Sequence, residues 1–156
     1  MTGLELGRLT DRKPPFKYSA LARVGFSDTD AQGIVYYGRY MPFFDTARFE
    51  YLRHLDLLER TLGELQFVMR ASHVEYHAPA RFDDLLEVFV RTKRLGTSSA
   101  TTAFAAYRAD DDTLMCAAEQ ILVLVDAEAR RPAKVPDSFR TPVREFEGSD
   151  LEEVRP

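Results

Sequence analysis

Residues 41–58 read MPFFDTARFEYLRHLDLL, and within them Met41, Phe44, Ala47, Tyr51, Leu55 and Leu58 recur at spacings of three and four. That period places the six on one face of a helix. Phe43, Phe49, Leu52 and Leu57 widen the apolar stripe beyond what a surface helix needs, so the pattern predicts a helix buried on most of its sides. Pro42 suits the first turn, where its missing N–H is harmless, and Gly63 suits a stop soon after the end. A helix of about 18 residues is about 27 Å long.

Outward from that helix the chain reads as strands. Residues 17–26 (KYSALARVGF) are β-prone and partly alternating, and they stop at the turn formers Ser27, Asp28, Thr29 and Asp30. After the helix, four further strands are predicted near 66–78, 84–95, 98–109 and 113–126, parted by Pro79, by Gly96 and by the run Asp110-Asp111-Asp112. Leu86, Val88 and Val90, and then Ile121, Val123 and Val125, alternate with more polar neighbours as half-buried strands do. Strands of ten to thirteen residues reach roughly 33–43 Å, well beyond the common five or six residues, and can curl around one helix. Three consecutive hairpins make an antiparallel sheet, so the class is α+β. The order of strand, long helix and four long strands is similar to that of the hotdog fold, a long antiparallel sheet wrapped around one central helix. An open sheet leaves unpaired edges, and pairing two protomers edge to edge removes one, so a homodimer at least is expected.

The 156 residues, 45% hydrophobic and 29% charged, are about the length of one ordinary domain, large enough to bury a core without disulfides or a structural metal. No apolar run approaches the roughly 20 residues of a membrane helix, and Met1-Thr2-Gly3-Leu4-Glu5 has no basic head before an apolar stretch, so a soluble cytoplasmic protein is expected. The single cysteine, Cys116, forms no internal disulfide and excludes a cysteine-based zinc cage. A net charge of −4 argues against a general nucleic-acid binder, so an anionic ligand has to be met by a local cluster. Residues 144–156 (REFEGSDLEEVRP) carry five acids and two bases, and read as an acidic mobile tail. With residues 1–15 set aside as an N-terminal extension ending in Lys13-Pro14-Pro15, the folded domain is expected over 16–143.

Between the first strand and the helix, residues 26–40 read FSDTDAQGIVYYGRY. On the residues alone, Asp28 and Asp30 are turn or cap residues. The pattern Asp-x-Asp-x-x-Gly-[Ile/Val]-Val followed by aromatics and a long helix resembles the active-site segment of the 4-hydroxybenzoyl-CoA thioesterase family and its acyl-CoA relatives. Residues 73–86 (HVEYHAPARFDDLL) resemble that family's second-strand segment, and the resemblance spans about residues 18–140. It implies that Asp30 is catalytic, that the backbone N–H of Tyr37 polarises the thioester carbonyl, and that Gly33 and Val35 lie beside the substrate, with Asp28 left structural. It also implies dimers or tetramers with shared active sites. A branch acting on bacterial acyl-CoAs has His where Tyr37 stands, so Tyr37 is more similar to the aromatic-substrate branch. The physics agrees, because a carboxylate just before a buried helix can sit beside N–H groups that stabilise a developing oxyanion. Asp30 could attack the thioester carbon or activate a water. Gly33 would allow close backbone approach or a positive φ.

Other patterns carry less. The run Asp28-x-Asp30-x-Gln32-Gly33 resembles a calcium loop, but Arg39 stands at the twelfth position where a bidentate Glu is required. His73 and His77 lie about 13 Å apart along a strand, which does not suit a shared metal. Cys116 sits in an apolar strand as a small core residue. Basic residues cluster at Arg91-Thr92-Lys93-Arg94 beside the predicted turn at Leu95-Gly96, where related thioesterases place cations, so Lys93 and Arg94 are candidates for the coenzyme A phosphates. Arg130, Arg131 and Lys134 are a second candidate. The reading is an acyl-CoA thioesterase that uses no metal or cofactor. Its rivals are hydrolysis of an acyl carrier protein substrate, a non-catalytic acyl-CoA binder on the same fold, and a phosphatase using Asp28 and Asp30, which the antiparallel order does not suit.

Overall fold

A computed structural model describes residues 5–59 and 65–154. In chain order the elements are β1 (Gly7–Leu9), β2 (Tyr18–Arg23), α1 (Tyr40–His54), β3 (Leu65–Tyr76), β4 (Leu85–Leu95), β5 (Ser99–Arg108), β6 (Thr113–Asp126), β7 (Arg131–Pro132), α2 (Asp137–Glu147) and β8 (Glu152–Glu153). Short 3-10 turns cover Phe26–Asp28 and Tyr37–Arg39. The expected first strand ends three residues early, at Arg23, where the Val24 N–H turns to the carbonyl of Asp84.

The six longest-paired strands lie in the order β1-β2-β4-β5-β6-β3 and pair antiparallel throughout. Two of the three expected hairpins are present, β4–β5 and β5–β6. The third is not, because β3 lies beside β6 at the far edge, and β4 pairs instead with β2. Residues 77–84 therefore cross from one side of the sheet to the other, and this crossover builds one wall of the site described below. The concave face packs on α1 through Phe44, Ala47, Tyr51 and Leu52 against Leu86, Val88, Val90, Phe104 and Ala118. This is the hotdog arrangement of one long helix in a curled antiparallel sheet.

The central helix is 15 residues long and ends one turn before the sequence stripe does. Asp56 takes the left-handed conformation at φ 58°, the Leu57 N–H reaches the Leu52 carbonyl at 2.8 Å, and the Asp56 N–H reaches that of Arg53 at 3.1 Å. These two bonds and the buried Leu52 and Leu57 form a Schellman stop, so Leu55 and Leu58 pack against the core from beyond the helix. Gly63, expected as the stop, lies outside the described residues.

Both segments expected to lie outside the domain are built into it. β1 pairs with β2, and its Arg8, with Arg12 just beyond it, joins Ser19 around the buried Glu87 carboxylate. At the other end, where a mobile tail was expected from 144, α2 continues through Arg144 and β8 pairs in parallel with β4 at Arg94 and Leu95. Glu147 is fully buried and accepts from the Tyr51 hydroxyl at 2.6 Å and the Thr92 N–H at 2.9 Å, and Glu153 is clamped by Arg140 and Arg144. Glu147 and Glu153 are thus bound individually rather than solvated with the rest as a group.

Burial works to raise the pKa of Glu87, but donors from Arg12, Ser19 and Arg8 outweigh it and hold the carboxyl below its ordinary range. A depressed folded-state pKa adds stability that is present above the unfolded value and lost as pH falls through the folded one. Glu87→Gln is accordingly expected to cost about 1–3 kcal/mol at neutral pH and to flatten the loss of stability below about pH 4.5, read by denaturant unfolding at stepped pH. An acid limb as steep as that of the wild type would assign the loss to other carboxylates.

Candidate active site

The segment 28–40 is fastened at several points before it enters α1. Asp28 is buried, accepts the Gly25 N–H at 2.7 Å and takes the Arg39 guanidinium at 3.0 and 2.9 Å, while its own carbonyl accepts the Tyr36 N–H. Asp28 is therefore the strut that ties the two 3-10 turns together. Between them, Thr29 bridges to Val35, the Asp30 N–H reaches the Ile34 carbonyl at 3.0 Å, and the Gly33 N–H returns to the Asp30 carbonyl at 2.9 Å. Gly33 closes this loop at φ +78°, a conformation that a side chain would strain.

The Asp30 carboxylate sits on that loop as an Asx turn, accepting the Gln32 N–H on Oδ1 at 2.8 Å. Among the described residues its second oxygen takes no protein donor. Asp30 and Tyr37 line one cleft of about 280 Å³, together with Val35, Tyr40, Tyr76 and His77. The far wall is the 77–80 crossover, held by Val35 N–H to the Ala80 carbonyl at 2.8 Å. β6 carries one extra residue at Met115 between the pairs Ala106–Cys116 and Tyr107–Leu114, and the freed Met115 carbonyl accepts from both His77 and Ala78.

Tyr37 opens the 3-10 turn that leads into α1, so its N–H has no carbonyl one turn back to bind. Its carbonyl accepts the Tyr76 hydroxyl at 3.1 Å, and its ring lies 4.3 Å from that of Tyr36. Desolvation pushes the Tyr40 and Tyr76 hydroxyls above their ordinary pKa, so both stay protonated hydrogen-bonding groups. Cys116, behind this wall, is buried and its thiol is pushed up to about 12, which fits a core residue rather than a nucleophile.

Lys93 and Arg94 are not brought to this cleft within one protomer. Arg94 pairs with Thr101 and so with Ile121, five residues along β6 from the Cys116–Tyr76 pair, or roughly 16 Å. Lys93 Nζ is paired with Glu119, and Arg94 Nε lies 3.9 Å from Glu152. Lys134 lies apart from them, in a roomier depression of about 500 Å³ whose Arg140 and Arg144 are both committed to Glu153. That depression is also lined by Thr97, Asp137 and Glu153 and contains neither Asp30 nor Tyr37. Sequence reasoning weighed His77 only as a metal ligand and passed over Tyr40 and Tyr76 as site residues. His77 belongs to the segment that carried the resemblance, and Tyr40 ends the quoted motif, so the signal was present in both.

The profile of the thioesterase-like superfamily matches residues 24–143, which contain the whole cleft and leave out β1, β2 and the last turn of α2 onward. The chain belongs to the thioesterase-like superfamily. Among thioesterase-like relatives, the acyl-CoA thioester hydrolase YbgC of Escherichia coli O6:H1 is 39% identical over 120 residues, covering 75% of this chain and 88% of its own. A probable thioesterase from Bartonella henselae of known structure is 31% identical, with a TM-score of 0.67 over 76% of this chain and 98% of its own. The 1,4-dihydroxy-2-naphthoyl-CoA thioesterase Slr0204 of Synechocystis is 20% identical with a TM-score of 0.76 over 83% and 96%, a likeness of fold.

Proposed function

We propose that the protein hydrolyses the thioester of an acyl-coenzyme A, releasing a free acid and coenzyme A. The observation that carries this reading is the meeting of Asp30 and Tyr37 in one cleft, in a chain 39% identical to an acyl-CoA thioester hydrolase. The thioester carbonyl oxygen takes the Tyr37 N–H, aided by the positive end of α1, and negative charge grows on it as the carbon becomes tetrahedral. Val35 lines the cleft beside it, whereas Gly33, expected beside the substrate, closes the loop that carries Asp30 and does not line the cleft. Asp30 drives the attack in one of two ways, by adding its own oxygen to the carbon or by taking a proton from the water that adds. In either route the C–S bond breaks and sulfur leaves as the thiolate. By direct attack an acyl–Asp30 anhydride forms, and water opens it at the Asp30 carbon, so the acid keeps an Asp30 oxygen and the side chain takes the water oxygen; by the base route the water oxygen enters the acid itself. No further reagent is consumed. Hydrolysis in 18O-labelled water under single turnover separates the routes, because only direct attack leaves unlabelled product and a labelled Asp30.

A homo-oligomer, a dimer or a dimer of dimers, is part of the proposal. β3 leaves twelve residues of sheet edge open and exposes Val68, Met69 and Tyr76, the last of which lines the cleft. Light scattering is expected to return two or four copies of the 17.8 kDa chain, and a catalytically active monomer would remove the shared-site element. Among the described residues no helix is long and apolar enough to cross a membrane. We place the enzyme in the cytoplasm, where acyl-CoA esters and a reduced Cys116 coexist.

The coenzyme A phosphates are assigned to Lys93 and Arg94, which in an oligomer can serve a neighbouring cleft and must exchange Glu119 and Glu152 for phosphate. Replacing both with Ala is expected to raise KM for an acyl-CoA by about two- to thirty-fold, less at high salt, and to leave the matching acyl-pantetheine unaffected. No effect on either substrate would move the phosphate site to Arg130, Arg131 and Lys134, or favour an acyl carrier protein substrate.

A further inference from the structure

Beneath α1 the concave face of the sheet changes character along one band. Thr92, Thr102 and Gln120 stand side by side on β4, β5 and β6 in strand register, and their exposures are 4%, 5% and 0%. Their same-face neighbours two residues away, Val90, Phe104, Ala100, Ala118 and Leu122, are core residues. α1 crosses the band lengthwise. Near its start the Met41 Sδ lies 3.6 Å from Gln120 Nε2, and near its end Tyr51 and the Thr92 N–H share the Glu147 carboxylate. Between them Arg48 faces Thr92 and Thr102 across a void of about 20 Å³.

Three buried side-chain atoms among the described residues have no hydrogen-bond partner, namely Gln120 Oε1, Arg48 Nε and Glu147 Oε1, and all three border this band. Each such atom costs about 1–3 kcal/mol, and native proteins keep few of them. The void is about the size of one water, but Met41 and Tyr51 are ten residues and about 15 Å apart along α1, so a single water cannot serve both ends. The band also leads away from the cleft. Gln120 pairs with Ser72 where Cys116 pairs with Tyr76, which puts it four residues, roughly 13 Å, beyond the cleft wall, and Met41 follows the cleft residue Tyr40. Met41 is unbranched and flexible and rests against Gln120, so it can change rotamer without moving the backbone.

We infer that this band is the far end of the acyl pocket and selects acyl chains that carry a distal hydroxyl group, with Gln120 Oε1 accepting from that hydroxyl. The inference rests on the reading of the Asp30 cleft as the thioester-cleaving site. Gln120 and Thr102 are neutral, and the one cation facing them, Arg48, is already paired with Asp45 at 3.2 Å, so a hydroxyl fits better than a charged end group. A plain alkyl chain of the same length leaves Gln120 Oε1 unpaired, which is the condition under which a polar pocket discriminates most strongly.

The test compares ω-hydroxyacyl-CoAs with the plain acyl-CoAs of equal length, ~8–12 carbons to match the roughly 13 Å run, on the wild type and on Gln120→Leu. The wild type is expected to favour the hydroxylated substrate in kcat/KM by about tenfold or more, and Gln120→Leu to reverse that preference. Acetyl-CoA, too short to reach the band, should be hydrolysed by both within about twofold, the spread of a remote substitution. Binding of the free ω-hydroxy and plain acids, followed by calorimetry, reads the band without turnover and keeps its failure apart from that of the hydrolase reading. A tenfold difference in Kd that Gln120→Leu abolishes upholds the band even if no thioester is cleaved. Equal Kd values in the wild type, or a Gln120→Leu change that moves both acids alike, overturns it.

Discussion

Asp30→Asn is expected to lower kcat for thioester hydrolysis by at least about 10²-fold, the scale of a positioned acid–base or nucleophilic group. The substitution is chosen because it keeps the local structure. Asn Oδ1 can accept the Gln32 N–H that now holds Asp30, and the loop bonds from Asp30 N–H to Ile34 and from Gly33 N–H to Asp30 are backbone bonds. What disappears is the negative charge that attacks the carbon or takes the proton. Acyl and nucleotide contacts are untouched, so KM should change far less than kcat, the pattern of an interaction made at the transition state. Stopped-flow release of coenzyme A measures both, and thermal unfolding checks that the fold is retained. A variant within a few-fold of the wild type would remove Asp30 from the chemistry and leave it the Asx-turn residue that its Gln32 bond also describes.

The second large effect belongs to the backbone. Tyr37 is the first residue of its 3-10 turn, and Tyr36 before it has φ −59° and ψ 133°, an extended conformation that a following proline accepts. The turn itself calls for a φ near the value that proline fixes. Tyr37→Pro therefore deletes one N–H, unclaimed by any carbonyl of the turn, with little demand on the fold. Loss of a single oxyanion donor lowers kcat by about 10²–10³-fold, and that is the fall expected here. Tyr37→Phe, which keeps the N–H, should stay within a few-fold of the wild type. If the phenylalanine variant falls as far as the proline variant, the side chain rather than the N–H carries the role.

That Asp30 and Tyr37 share one cleft was legible because both lie within one contiguous segment, where a short pattern fixes loop and helix start together. The long helix and the long strands were legible for a related reason, since each is set by periodicity within its own residues. Strand order was not. β3 alternates no worse than β4, and only the pairing of Phe67, Val74 and Tyr76 with Leu124, Ala118 and Cys116 reveals that it closes the far edge beside β6. Residues 144–154 misled for a related reason. Their acids count as a repelling cluster in sequence, yet Glu147 answers to Tyr51 and Thr92, Asp150 to Lys17, and Glu153 to Arg140 and Arg144. Lys93 and Arg94 form a basic cluster in sequence, but each meets an acid from β6 or β8 that no local window contains. The helix stop likewise went to Asp56 in a left-handed conformation, because two buried leucines made a Schellman contact profitable before any glycine was reached.

Continuous assay of free coenzyme A thiol from an acyl-CoA, with wild-type protein and Asp30→Asn side by side, tests the central claim most directly. The account predicts many thiols released per wild-type chain and a rate at least about 10²-fold lower for the variant at equal folded concentration. Release that stops at one thiol per chain, or tight acyl-CoA binding with no thiol at all, would make the chain a binder built on the same fold, and equal rates from the two proteins would place the chemistry elsewhere.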